Sequence, residues 1–153
     1  MSTTTAAAVT KVSDSQLRNG IMPRALLSEA ACKVALGKTD NVRIRQFAEW
    51  ELMEATTVIK VLKDLGTPAA EPGADALEFL ASLKAMTTAQ FNAAFMKAEL
   101  SNHEFLRDLA KEYLDGTGDG QPGGNETQHV AMLAHFAFTE HVGLCADILE
   151  ELN

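Results

Sequence analysis

A Phe-Ala pair is followed by glutamate three residues after the alanine at two places in this chain, at Phe47-Ala48 with Glu51 and at Phe136-Ala137 with Glu140. The repeat pairs Glu51 with Glu140, and two further carboxylates, Glu29 and Glu99, lie on or beside apolar stripes of helical spacing. Imidazoles stand close by: His103 is one turn beyond Glu99, and His141 adjoins Glu140. Several carboxylate oxygens with one or two imidazoles form the donor set that iron or manganese prefers, and a glutamate from each of four helices is how helical bundles hold such ions in pairs. The full pattern of such sites, Glu-x-x-His on two helices, is not met, because Glu54 stands three residues after Glu51 and Gly143 three after Glu140. The expectation is a carboxylate-rich, imidazole-poor di-metal site drawn from Glu29, Glu51, Glu54, Glu99, His103, Glu140 and His141, holding iron or manganese.

Such residues meet only if the elements that carry them stand side by side. Apolar spacing of three and four predicts a first helix from about Ser15 to Leu36, with its firm part beginning near Pro23 and its stop at Gly37. A second, capped by Asp40, carries Ile44, Ala48, Leu52, Ala55, Ile59 and Leu62 inward and ends at Gly66-Thr67-Pro68. A connection over 67–86 holds a short amphipathic helix from Ala74 to Leu83. Thr87 and Gln90 form a capping-box pair ahead of a helix from Thr88 to Leu114, and a glycine-rich loop from Asp115 to Gly124 precedes the last helix, with Val130, Leu133, Ala137, Leu144 and Ile148 as its inward stripe. Two helical hairpins joined by a long connection make an all-α, ferritin-like, up-down four-helix bundle whose crossover carries a short extra helix. At a rise of about 1.5 Å per residue, Glu29, Glu51, Glu99 and Glu140 come level in that arrangement. Residues 1–13 read as a disordered tail and 14–153 as the single bundle domain.

Composition narrows the functions. A net charge of −8 and the absence of any Lys/Arg run argue against nucleic acid as a partner. No apolar run is long enough for a membrane span, and the first ten residues have neither the basic nor the apolar part of a leader, which points to a cytoplasmic protein. Cys32 and Cys145 are expected to be free, packed thiols, since two distant cysteines make no zinc knuckle. No strained nucleophile turn or phosphate-binding loop is present, so the residues do not decide whether the chain is an enzyme. Trp50 and Met53 lie off the main stripe, either covering the crossover helix or forming a contact in a homodimer, and His129 and His135 fall on the surface.

Two alternatives stand beside the metal site. With 21 acidic residues, inward glutamates arise by chance and pair with bases such as Lys33, Arg45 and Lys97, leaving a non-catalytic helical module in a stress or assembly role. Alternatively Phe91, Phe95, Phe105, Phe136 and Phe138 line a pocket for an apolar small ligand.

From Ala35-Leu36 through Arg45-Gln46-Phe47-Ala48, again from Phe91 to His103, and around His141, the chain resembles a ferritin-like bacterial family known as domain of unknown function 4142. The resemblance covers about residues 14–152. An Asp-His pair that the family carries in its second helix falls on Glu54 and Ala55, its first-helix glutamate falls on Ser28, and its later histidines match His103 and His141. What the resemblance implies is a bundle that binds a transition metal, iron or similar, for metal handling or oxidative-stress defence. Many members are exported.

Overall fold

The computed structural model describes residues 11–117 and 125–153. The described residues form five helices and no strand: α1 (Asp14–Lys38), α2 (Val42–Asp64), α3 (Ala74–Ala85), α4 (Thr88–Thr117) and α5 (Glu126–Glu151). α1 packs along α2 and α4 along α5, the two hairpins meet through α1 and α4, and α3 lies across α1 and α4. By contrast α2 approaches α5 at few points, so the bundle is open along that edge.

Local chemistry sets the helix ends. Ser13 caps α1 in a capping box with Gln16. The helix then runs unbroken through Gly20 and Pro23, earlier than the sequence expectation of a firm start near Pro23, because Gly20 lets it lie close to α4. A Cβ at Gly20 would stand 2.6 Å from Leu109 Cδ2. Gly37 does not stop this helix. It lies inside the last turn, and Thr39 ends the helix with its N–H on the Ala35 carbonyl. The cap of α2 is Asn41 and not Asp40, since the Asn41 side chain accepts from the N–H groups of Arg43 and Ile44. Gly66, at φ +81°, turns the chain after α2 as expected. Thr87 and Gln90 exchange the expected capping bonds before α4, which continues past Leu114 to Thr117. Of the expected tail, residues 1–10 lie outside the described residues, as does most of the glycine-rich loop, while Val12 packs against the core.

The core comes in two parts. One gathers Ala31, Cys32, Ala35, Ile44, Phe47, Ala48, Phe91, Phe95, Met96, Cys145 and Ile148, and is roofed by Leu83 of α3. The other gathers Leu17, Ile21, Met22, Ala25, Ile59, Leu62, Leu106, Tyr113, Ala131, Ala134 and Phe138. Burying each large side chain contributes about 1.5–3 kcal/mol, so these two clusters supply most of the drive for folding. Between them, buried polar residues follow one another around the bundle. Ser28 falls between Ala25 and Ala31, Glu51 between Ala48 and Ile59, Glu99 and His103 between Met96 and Leu106, and His141 between Phe138 and Cys145.

α5 is rotated from its expected phase. Its buried stripe is Thr127, Ala131, Ala134, Phe138, His141, Cys145 and Ile148. Leu133, expected in the inward stripe, is 72% exposed, and Phe136, expected only in the apolar-ligand pocket, is 64% exposed. Close packing on α4 selects the face with small residues, and Phe138 fills the space that a larger stripe would have taken. Trp50 and Met53 are also exposed, and α3 lies against α1 and α4 instead of beneath them. Both cysteines are free and buried, as expected.

Candidate metal centre

Glu51 is the hub of the polar layer. Phe47, one turn earlier, packs in the core and turns the same face of α2 inward, so Glu51 reaches the bundle axis. Its Oε2 lies 3.1 Å from His103 Nε2 and 2.9 Å from His141 Nδ1, and its Oε1 takes a 2.7 Å hydrogen bond from the Ser28 hydroxyl. His103 is fully buried, with its Nδ1 2.8 Å from the Glu99 carbonyl, and that bond fixes the ring so that Nε2 faces the centre. The two rings lie 3.1 Å apart, from His141 Nδ1 to His103 Nε2. Glu54, one turn along α2, approaches His141 Nε2 at 3.5 Å. Phe47 and Phe138 stand edge-on to the imidazoles, with ring centroids 6.2 and 5.6 Å from His103, and wall the centre with hydrocarbon.

These contacts bring together donors from three helices. One ligand atom from each of Glu51, Glu54, His103 and His141 lies within 4.8 Å of the others. Glu99 belongs to the same layer without joining the group: it is fully buried, its Oε2 3.0 Å from Ser28 Oγ and 3.7 Å from His103 Nδ1. The remaining expected donors stand elsewhere. Glu29 is half-buried and pairs with Lys33 at 3.1 Å, and Glu140 is exposed on α5, outside the group of four. The expected cationic partners do not reach the centre either: Arg45 binds the carbonyls of Leu36 and Thr39, and Lys97 is exposed. His129 is exposed and His135 half-buried. The five phenylalanines of the apolar-ligand reading do not line one cavity, since Phe91, Phe95 and Phe138 are packed in the core and Phe105 and Phe136 are exposed.

The electrostatics follow from burial opposed by pairing. For Glu51 burial favours the neutral acid, but the hydrogen bonds from both imidazoles and the charge of His103 outweigh it and hold the carboxyl near 2. Burial likewise disfavours the His103 cation, and the bond to Glu51 with the nearby carboxylates overturns that, lifting its pKa to about 9. For Glu99 the balance is reversed: burial and the Glu51 charge outweigh the His103 charge and the Ser28 bond and push it up to about 7. Burial also raises Glu54. Ser28 stands between Glu51 and Glu99. Its hydroxyl lies within donating distance of both carboxyls, 2.7 Å from Glu51 Oε1 and 3.0 Å from Glu99 Oε2, and its single hydrogen serves one of them at a time.

The group of four donors borders a groove on one side. A groove of about 770 Å³ between α2 and α5 is lined by Trp50, Met53, Glu54, Val58, Glu140, His141, Gly143, Leu144 and Asp147. Glu54 and His141 form part of its floor, and Glu51 and His103 lie behind them. A smaller hollow of about 240 Å³ opens on the other side of the layer, between α1 and α4, beside Arg24, Ser28, Glu99 and Asn102.

A family model for a domain of unknown function, DUF4142, matches residues 1–121, more than half of the chain. The chain belongs to the DUF4142 family. The comparisons with curated proteins and with solved structures found no match. The matched part of the DUF4142 chain includes Glu51, Glu54, Glu99 and His103, and α5 with His141 follows it. Ser28 carries the signal that sequence reasoning passed over in this DUF4142 protein: a hydroxyl on the apolar stripe of α1, read only as a missing glutamate, is the residue that bridges Glu51 and Glu99.

Proposed function

We propose that this chain is a ferritin-like bundle that binds one transition-metal ion, iron, manganese or a similar ion, through Glu51, Glu54, His103 and His141. The observation that carries the reading is the convergence of four donor atoms within 4.8 Å of one another in a buried layer. Two imidazoles and two carboxylates suit first-row divalent ions of borderline softness. The pair of ions that the sequence pattern suggested would need Glu29 and Glu140, which lie outside the cluster, so a single ion fits better. When bound, such an ion supplies Lewis-acid or one-electron chemistry, consistent with metal handling or defence against oxidants. The chain's own contribution is to hold the donors level, to keep His103 Nε2 aimed inward through the Glu99 carbonyl, and to exclude water with Phe47 and Phe138. Ser28 and Glu99 anchor Glu51 from behind.

A second reading has its own support. The layer closes on itself without an ion, since Glu51 is met by both imidazoles and by Ser28, and Glu99 by Ser28. On that reading the chain is a non-catalytic helical module and the layer is structural. Elemental analysis of freshly purified protein, with the melting temperature followed as iron, manganese and zinc are added, separates the two. About one equivalent of metal and a rise in melting temperature that is lost in E51Q/H103Q supports the metal centre. No metal and no shift would leave the structural reading.

A further inference from the structure

Two hollows flank the buried layer, and they differ in charge. On the α2–α5 side the groove carries Glu54, Glu140 and Asp147 and no lysine or arginine among the residues that line it. Glu140 and Asp147 are exposed and lie on one face of α5, two turns apart. From them the carboxylates lead inward to Glu54 and His141, and then to Glu51 and His103, whose side chains are 4% and 0% exposed. On the α1–α4 side the hollow has Arg24 at its mouth, bonded to Asn102 at 3.1 Å and stacked 3.6 Å over the Phe105 ring. The first way carries three carboxyl groups and no ammonium or guanidinium, whereas the second sets the guanidinium of Arg24 beside its one carboxyl, Glu99.

Gly143 adds an observation independent of charge. It sits in the interior of α5 between Glu140 and Asp147, has no positive φ, and a Cβ placed on it would meet nothing within 4 Å. Neither backbone conformation nor packing requires glycine there, although glycine in a helix interior costs about 1 kcal/mol relative to alanine. Its effect is to leave the α5 wall of the groove bare, in the same lining as Glu54 and His141.

We propose that the groove between α2 and α5 is the route by which a divalent cation reaches the cluster, with Glu140 and Asp147 as the outer carboxylates that draw it in. The inference rests on the metal-binding reading above. It gives Glu140 a role outside the ligand set: its carboxylate holds the cation in transit, still hydrated, and hands it to Glu54 and His141 at the floor. Fields focused in clefts of one sign raise association rates about 10-fold or more, and the effect fades with salt.

Trp50, the chain's single tryptophan, stands on the wall of this groove and serves as the reporter. Stopped-flow quenching of its fluorescence by Co²⁺ gives the association rate for the full chain at low and high salt. The expected result is that E140Q/D147N binds Co²⁺ about tenfold more slowly at low salt, with the salt dependence largely lost. Gly143→Leu, which fills the groove and favours the helix, is expected to slow binding at every salt concentration, and R24Q to leave the rate as it is. Association unchanged in E140Q/D147N and in Gly143→Leu, or made faster by R24Q, would overturn the route while leaving the metal centre intact. Failure of the wild-type protein to bind Co²⁺ at all would remove the metal centre and the route together.

Discussion

Replacing Glu51 by Gln in metal-free protein removes the one anion that both buried imidazoles share, with almost no change in volume. Glu51 is held near 2 in the folded chain against 4.5 unfolded, so its contribution is present above pH 4.5 and is lost as the pH falls towards 2. His103 is raised to about 9 from 6.5, so its contribution is complete below pH 6.5 and is lost as the pH rises through 9. Both are in force only between pH 4.5 and 6.5. The two shifts are one interaction seen from its two ends and are not added; either corresponds to about 3 kcal/mol. Glu99 is raised to about 7 by burial and by the Glu51 charge, so in the variant its carboxyl moves back towards its ordinary value, and that relief of the Glu99 carboxylate narrows the gap further as the pH rises from 4.5 towards 7. Urea denaturation followed by circular dichroism, in chelator and across pH 3–9, measures that difference. Wild type is expected to exceed the variant by about 3 kcal/mol near pH 5.5, with the gap narrowing on both sides. A gap below about 1 kcal/mol, or one that does not vary with pH, would refute the ion pair at the centre of the layer.

Ser28→Ala strips the bridge from Glu51 and Glu99 and is expected to cost about 1–3 kcal/mol in equilibrium unfolding. Gly143→Ala fills open space on a helix and is expected to stabilise the chain by about 0.5–1 kcal/mol, read as a small rise in melting temperature. Asn41→Ala leaves the N–H groups of Arg43 and Ile44 without their acceptor, and the same unfolding measurement is expected to show a loss of about 1 kcal/mol. Tyr113 donates to Asp14, and burial with that bond raises its phenol to about 12. Its contribution is therefore full below pH 10 and lost as the pH climbs to 12, a decline that Tyr113→Phe is expected to abolish in alkaline denaturation.

Much of this was legible in the residues. Helical spacing, the Thr87–Gln90 pair and the Gly66 turn gave all five helices, and counting rise from the loops brought Glu29, Glu51, Glu99 and Glu140 to one level, of which Glu51 and Glu99 stand in the buried layer while Glu29 and Glu140 do not. Rotation was harder to read than height. α5 has large apolar side chains at Met132, Leu133 and Phe136 on one face and a smaller set with Phe138 on another, and a spacing template favours bulk, whereas close packing on α4 favours Ala131 and Ala134. The same angular shift separates Ser28, which turns inward, from Glu29, which turns to Lys33. The groove between α2 and α5 had no local signal, because it arises from where two helices separated by most of the chain fail to touch.

The buried layer between the two cores also bears on how α5 finds its place. Hydrophobic pattern alone gives this helix two near-equivalent ways to lie on α4, and turning it by one residue would carry Glu140 into the position of His141. A further carboxylate would then crowd Glu51, with His103 already committed to Glu51 and no second imidazole to answer the newcomer, at a cost of about 3–5 kcal/mol, as for breaking a buried pair. The imidazole of His141 thus works as a key: it admits one rotation of α5 and penalises its neighbour, much as a single buried polar residue fixes the register of a coiled coil.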